Sequence, residues 1–183
     1  EVETPYAVPT PGEEVHLLPF HTEYETPEGT QHRLFLHTSP EFAMKRIVAA
    51  TGLPVFQFAR VWRNAEGSRL HAPEFTMLEW YRPHLGLDGL MDETEALLRA
   101  VLPPTVHYGT TTLDLTQPFE RLSMADAFQR HAGCDLLATQ GDAHKLALAA
   151  HCPLREGQDW ADLFSRLPLE PVESALGRPR PAL

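Results

Sequence analysis

Between Val55 and Pro83 the sequence reads VFQFARVWRNAEGSRLHAPEFTMLEWYRP and concentrates side chains able to handle a phosphorylated or amine-bearing substrate. If 73–81 is a strand, Phe75, Met77, Glu79 and Tyr81 share one face, with Arg63 and His71 at the two ends of the preceding loop. Such a surface offers a ring to stack on a base, a guanidinium for a phosphate and a carboxylate for an ammonium. The same pattern also describes ordinary protein: Phe75 and Met77 as core, Glu79 and Tyr81 as a solvated face, Arg63 paired with Glu66. On alternation alone that plainer reading is favoured. Glu79 weighs against it, because a carboxylate in a mostly apolar strand needs a partner.

The elements that would position these groups are partly legible. Residues 54–63 are apolar on both alternating faces, Val55, Ala59 and Val61 against Phe56, Phe58 and Trp62, which fits a strand buried inside a sheet. With 73–81 it makes an antiparallel hairpin whose long connecting loop, 64–72, is of a length often used for function. Upstream, Leu34-Phe35-Leu36 is a short strand. Thr38-Ser39-Pro40-Glu41 then offers a hydroxyl cap, a first-turn proline and an acid near the positive end of the helix dipole, so a helix over 40–50 ending near Gly52 follows. Residues 6–33 read as loops with one short strand at most. Downstream, Asp88 caps a helix carrying Leu90, Met91, Thr94, Leu97, Leu98 and Val101 on one face. Ser123 with Asp126 resembles a capping box closed by Gly133, and further helices are expected over 143–150 and 159–167. Residues 177–181 read as a linker. The class is α+β, an antiparallel sheet flanked by helices.

With 43% apolar and 22% charged residues over 183, the chain can bury one ordinary core, and a single domain is the default expectation. The net charge of -10 argues against a surface that grips nucleic acid through many phosphates. Cys134 and Cys152 match neither a metal-ligand spacing nor a disulfide framework, and a reducing cytoplasm is the simplest compartment. No metal site is expected among these residues. No apolar run is long enough to span a membrane and no secretory signal opens the chain. The first residues read as a strand already under way, so the sequence is taken as a fragment.

Trp62-Arg63-Asn64 with His71-Ala72-Pro73-Glu74-Phe75-Thr76-Met77-Leu78-Glu79-Trp80-Tyr81 resembles motif 2 of the class II aminoacyl-tRNA synthetases, specifically their lysine branch. Val2-Glu3-Thr4-Pro5 looks like the end of motif 1, and Thr38-Ser39-Pro40-Glu41 with Met44-Lys45-Arg46 like the substrate-side segment before motif 2. The resemblance thus divides the chain into a motif 1 remnant (1–5), a substrate-side segment (34–50), motif 2 (54–82) and a helical insertion or linker region (88–183). It implies the partial class II catalytic-domain fold and a homodimer. Within the branch, Met77-Leu78-Glu79-Trp80-Tyr81-Arg82 looks most like paralogues that attach (R)-β-lysine to a lysine of elongation factor P.

The resemblance implies a role for each site residue. Arg63 stabilises the charge on the α-phosphate of ATP while the substrate carboxylate attacks it. Arg69 and His71 lie where the terminal phosphates bind. Phe75 stacks on adenine, and Asn64 and Ala72 flank the nucleotide. Ser39, Pro40, Glu41, Glu79 and Tyr81 line the pocket for lysine or β-lysine. Two departures stand out. The family's usual glutamate two residues after the motif 2 arginine is Ala65, and adjacent Glu66, shifted by one on a strand, would face the other way. The usual asparagine after the loop histidine is Ala72. Motif 3 and the acidic ligands of magnesium are expected beyond Leu183, so this polypeptide alone is expected to form no adenylate. Two alternatives stay open: the catalytic piece of a synthetase that charges tRNA, and an inactive paralogue that keeps nucleotide binding.

Overall fold

A computed structural model of the chain describes residues 1–12, 17–69, 71–167, 170–178 and 180–183. It divides into two compact units, Glu1–Gly86 and Leu87–Leu183. Both mix helices with small antiparallel sheets.

In the first unit, β1 (Ala7–Val8), β3 (Gln31–Leu36) and β2 (Phe20–Glu25) form one antiparallel sheet in that order. The β2–β3 hairpin corrects the expectation of loops over 6–33. It turns at Gly29, whose φ of 80° is open to glycine without a Cβ penalty. Its periodicity was hidden because most of its residues face solvent on both sides, leaving no apolar alternation to detect. α1 (Glu41–Thr51) follows, buries Met44, and stops where Gly52 adopts φ 67° and donates its N–H to the Val48 carbonyl. Pro40 occupies the N-cap position, where it has no side-chain cap to offer; the expected hydroxyl acts from one residue earlier, Ser39 Oγ accepting from Glu41 N at 3.0 Å.

β4 (Val55–Trp62) and β5 (Glu74–Tyr81) pair antiparallel, with Val55 opposite Tyr81, Gln57 opposite Glu79, Ala59 opposite Met77 and Val61 opposite Phe75. One face is buried through Val55, Gln57, Ala59 and Val61. The other is not, which corrects the expectation of a strand covered on both sides: Phe56 and Phe58 are 40% and 58% exposed and meet edge to face. Among the described residues their apolar character does not translate into full burial.

The two sheets are stitched at one corner. Trp62 N donates to His37 O at 3.1 Å, His37 N to Tyr6 O at 2.9 Å, and the rings of Tyr6, His37 and Trp62 cluster within 5.4–6.1 Å of one another. Residues 1–5 run beside β4, with Val2 N donating to Phe56 O at 2.9 Å.

The second unit starts with α2 (Leu87–Val101), in which Asp88 lies in the first turn rather than capping it. None of the α2 residues is fully buried, so its apolar stripe is not core. β6 (Thr105–Tyr108) and β7 (Thr111–Asp114) form a hairpin that the helical reading of 88–183 missed, because four-residue strands of threonine and aromatic residues carry too little alternation to register. α3 (Met124–Ala132) is capped by Ser123 and closed by Gly133 as expected. α4 (Ala143–Ala149), α5 (Trp160–Ser165) and α6 (Glu170–Glu173) complete the unit, α5 with an Asp159–Asp162 capping box. Phe128, Leu146, Leu163, Cys134 and Cys152 form its core, and both thiols are free. At the C-terminal end, Glu120 N donates to Pro181 O at 2.8 Å and Leu122 N to Leu183 O at 3.0 Å.

Candidate functional site

The β4–β5 hairpin carries two groups of the candidate side chains, one toward each end. At the loop end, Arg63 follows β4 directly and its N–H donates to Pro73 O at 2.9 Å, which closes the hairpin and aims the side chain back along β5. The guanidinium lies 5.2 Å from the centre of the Phe75 ring. Among the described residues no ion pair joins Arg63 to Glu66, and Arg63 Nε is buried without a partner. The guanidinium therefore lies against the ring, its Nε left with hydrogen-bonding capacity to spare, while the Pro73 carbonyl holds the Arg63 backbone.

A cleft of about 340 Å³ opens here, lined by Arg63, Ala65, Glu66, Gly67, Ser68 and His71. The loop is tied across itself: Ser68 N donates to His71 O at 3.0 Å, His71 N to Ser68 Oγ at 3.2 Å, and Ser68 Oγ meets His71 Nδ1 at 3.1 Å. Asn64 serves the loop rather than the cleft, its Oδ1 accepting from Ala65 N at 2.8 Å. Arg69 and Ala72 are exposed and stand outside the lining set. The expectation that Glu66 points away is corrected. The strand ends at Trp62, Ala65 in the loop has φ 60°, a left-handed residue, and Glu66 lines the same cleft as Arg63.

At the other end, Glu79 receives two hydroxyls. Ser39 Oγ donates to Glu79 Oε1 and Tyr81 OH donates to Oε2 at 3.0 Å. Ser39 thus has two tasks, since the same oxygen accepts from Glu41 N at the start of α1. Pro40 is fully buried between them and fixes the turn. Glu41 pairs with Lys45 across one helical turn. Burial, then the charge and hydrogen bond of Glu79, then the charge of Glu41, push the Tyr81 phenol well above the usual tyrosine range, so it is a donor at any physiological pH. Of the residues anticipated for an amine pocket, Ser39, Glu79 and Tyr81 are joined by their side chains, and Glu41 reaches them through its backbone N–H, its carboxylate bonded to Lys45. Phe75 and Glu79, four residues apart on β5, stand about 13 Å apart along the strand.

Three residues of the site's surroundings were not anticipated. Gln57, 1% exposed, faces Glu79 across the ladder and accepts from Thr4 Oγ1 at 3.0 Å. A lone amide at a buried register position of an apolar strand was its visible signal. His37 Nε2 donates to Arg60 O at 2.7 Å, so the ring holds its proton there; burial lowers its pKa, against the carbonyl bond and the nearby charge of Glu79. Nothing in the sequence around His37 marks it.

The model of the family described as tRNA synthetases class II (D, K and N) matches residues 1–165. The chain belongs to this family. The members of that family similar to it include the elongation factor P--(R)-beta-lysine ligases of Salmonella paratyphi B, Salmonella heidelberg and Salmonella enteritidis, each 41% identical over 187 aligned positions. The alignments cover 99% of this chain and 53% of each relative, so the chain spans about half the length of the curated relatives it matches. Among the described residues no group of three His, Cys, Asp or Glu side chains comes together. No helix among them is long and apolar enough to cross a membrane.

Proposed function

We propose that this chain carries the nucleotide-and-amine half of an ATP-dependent ligase that activates (R)-β-lysine or lysine and passes it to a lysine of elongation factor P. The observation that carries this reading is the Ser39–Glu79–Tyr81 cluster on the same face as Arg63 and Phe75. A family that serves aspartate, lysine and asparagine must choose among side chains of opposite charge. A carboxylate held by two hydroxyls attracts an ammonium and repels aspartate, and it gives a neutral amide no charge to complement.

On this reading the reaction has two steps. The substrate carboxylate attacks the α-phosphorus of ATP, the bond to the bridging oxygen breaks, and pyrophosphate leaves with the electron pair. Negative charge builds on the α-phosphate oxygens. Arg63, its guanidinium set against Phe75 and its backbone tied to the Pro73 carbonyl, stabilises that charge with little reorganisation. His71, Ser68 and Glu66 border the space left for the rest of the nucleotide. The activated carbonyl is then attacked by the amine of the acceptor, and AMP departs. The names of the relatives favour a protein acceptor over tRNA.

Calorimetric titration of the chain with ATP, L-lysine, (R)-β-lysine and aspartate tests the pocket. Binding of the lysine isomers and not of aspartate, clearly weakened by Glu79→Gln, is expected. Equal binding of aspartate, or binding of amines indifferent to Glu79, sinks the assignment. Transfer of radiolabelled β-lysine to elongation factor P and to tRNA by the longer protein separates the two acceptors.

A further inference from the structure

We propose that Gln57 is a positioning residue for Glu79, and that Thr4 sets the orientation of its amide. The proposal rests on reading the Glu79 cluster as an ammonium pocket.

Gln57 and Glu79 are directly paired on one face of the hairpin, which brings their Cβ atoms to about 5 Å. The Gln57 side chain is fully buried, and its Oε1 is taken by the Thr4 hydroxyl at 3.0 Å. Thr4 is itself 8% exposed, in the segment that Val2 fastens to β4. That bond turns Nε2 away from Thr4, and Nε2 has no acceptor among the described residues. A buried amide N–H without a partner costs more than an average hydrogen bond returns. A glutamine kept in an apolar run is best explained by an acceptor that reaches it in the working state.

On this face the neighbours of Gln57 along and across the ladder are Val55, Ala59, Met77, Glu79 and Tyr81, and Glu79 is the strongest acceptor of the set. Its two oxygens accept from Ser39 and Tyr81. An entering ammonium competes for the same lone pairs and the carboxylate must turn toward it. Gln57 Nε2 then donates to the turned carboxylate from the adjacent strand and holds it. A neutral amide does this without cancelling the charge that the ammonium requires; an arginine or lysine at 57 would neutralise it.

The test uses Gln57→Leu, which keeps the volume and removes the amide, together with Thr4→Val and the double variant. Titration with L-lysine and (R)-β-lysine should show about tenfold weaker amine binding for Gln57→Leu, with ATP affinity and thermal midpoint unchanged. Thr4→Val should weaken amine binding less, and the double variant no more than Gln57→Leu alone, because both act through one amide. Unchanged amine binding in Gln57→Leu, or parallel loss of amine and ATP binding, overturns the proposal. If the parent chain binds neither isomer, the ammonium pocket itself fails. A ligand-free measurement then tests whether the amide stands within the field of the carboxylate, as its positioning role requires: the Gln57 carboxamide resonance should shift with carboxylate protonation in acid titration, without a hydrogen bond between them, and cease to do so in Glu79→Gln. A resonance that ignores Glu79 refutes it.

Discussion

Arg63 caps the face of Phe75, its guanidinium carbon 5.2 Å from the ring centre, at the point where β4 gives way to the loop. A stacked cation of this kind contributes about 0.5–1 kcal/mol where solvent still reaches it. That is small beside what a polyphosphate offers the same guanidinium, so the ring orients Arg63 without tying it up.

Arg63→Lys keeps the charge but loses the planar fork and the stacking. Pyrophosphate exchange by the longer protein should fall by roughly 10²–10³-fold, the range for removal of one preorganised donor at a developing oxyanion. Phe75→Leu should instead weaken nucleotide binding by about 1–3 kcal/mol, as loss of base stacking does. Calorimetry and single-turnover rates separate the two.

Ser39→Ala removes two hydrogen bonds at once, the one that starts α1 and the one to Glu79. A stability loss of about 1–2 kcal/mol is expected in urea melts, with weaker amine binding alongside. Glu79→Gln should weaken amine binding by about 1.5–3 kcal/mol and leave the start of α1 intact. If Ser39→Ala affects stability alone, Ser39 is a cap and nothing more.

His37 supplies a pH dependence. Its folded pKa is lowered by burial, so below the unfolded value of about 6.5 the unfolded chain takes up a proton that the folded chain resists. Stability should therefore fall as pH drops from about 6.5 toward the lowered folded value, and be insensitive to this group above that window. The charged groups facing it include Glu79, whose field opposes the shift without reversing it. His37→Gln, able to donate to the Arg60 carbonyl, should flatten the dependence between pH 7.5 and 5.5 in thermal melts.

Tyr81 shows the opposite sign. Its folded pKa is raised, so its contribution is complete below the unfolded value of about 10 and is lost as pH rises above it. Absorbance titration should find one of the four tyrosines ionising well after the others. Burial, the largest cause, stays in Glu79→Gln, so that variant should lower the phenol only part of the way, by removing the charge and the hydrogen-bond acceptor of the carboxylate.

Much of the hairpin was written in the sequence. Alternation over 54–63 and 73–81 identified both strands and put Phe75, Met77, Glu79 and Tyr81 together, and the Ser39–Glu41 start, the Gly52 stop and the Ser123–Asp126 box were equally visible. These signals are local: a cap, a glycine at positive φ and a two-residue period each act within a few bonds of the residue that carries them. Tertiary structure alone decided the rest. The β2–β3 hairpin had no apolar face to announce it, and the left-handed turn at Ala65 that brings Glu66 to Arg63 depends on how the loop closes. The exposure of Phe56 and Phe58 and the meeting of Thr4, Gln57 and Glu79 depend on which surfaces pack together. Which partner a side chain acquires across fifty residues is set by burial and competition among surfaces, and no short window of sequence contains that choice.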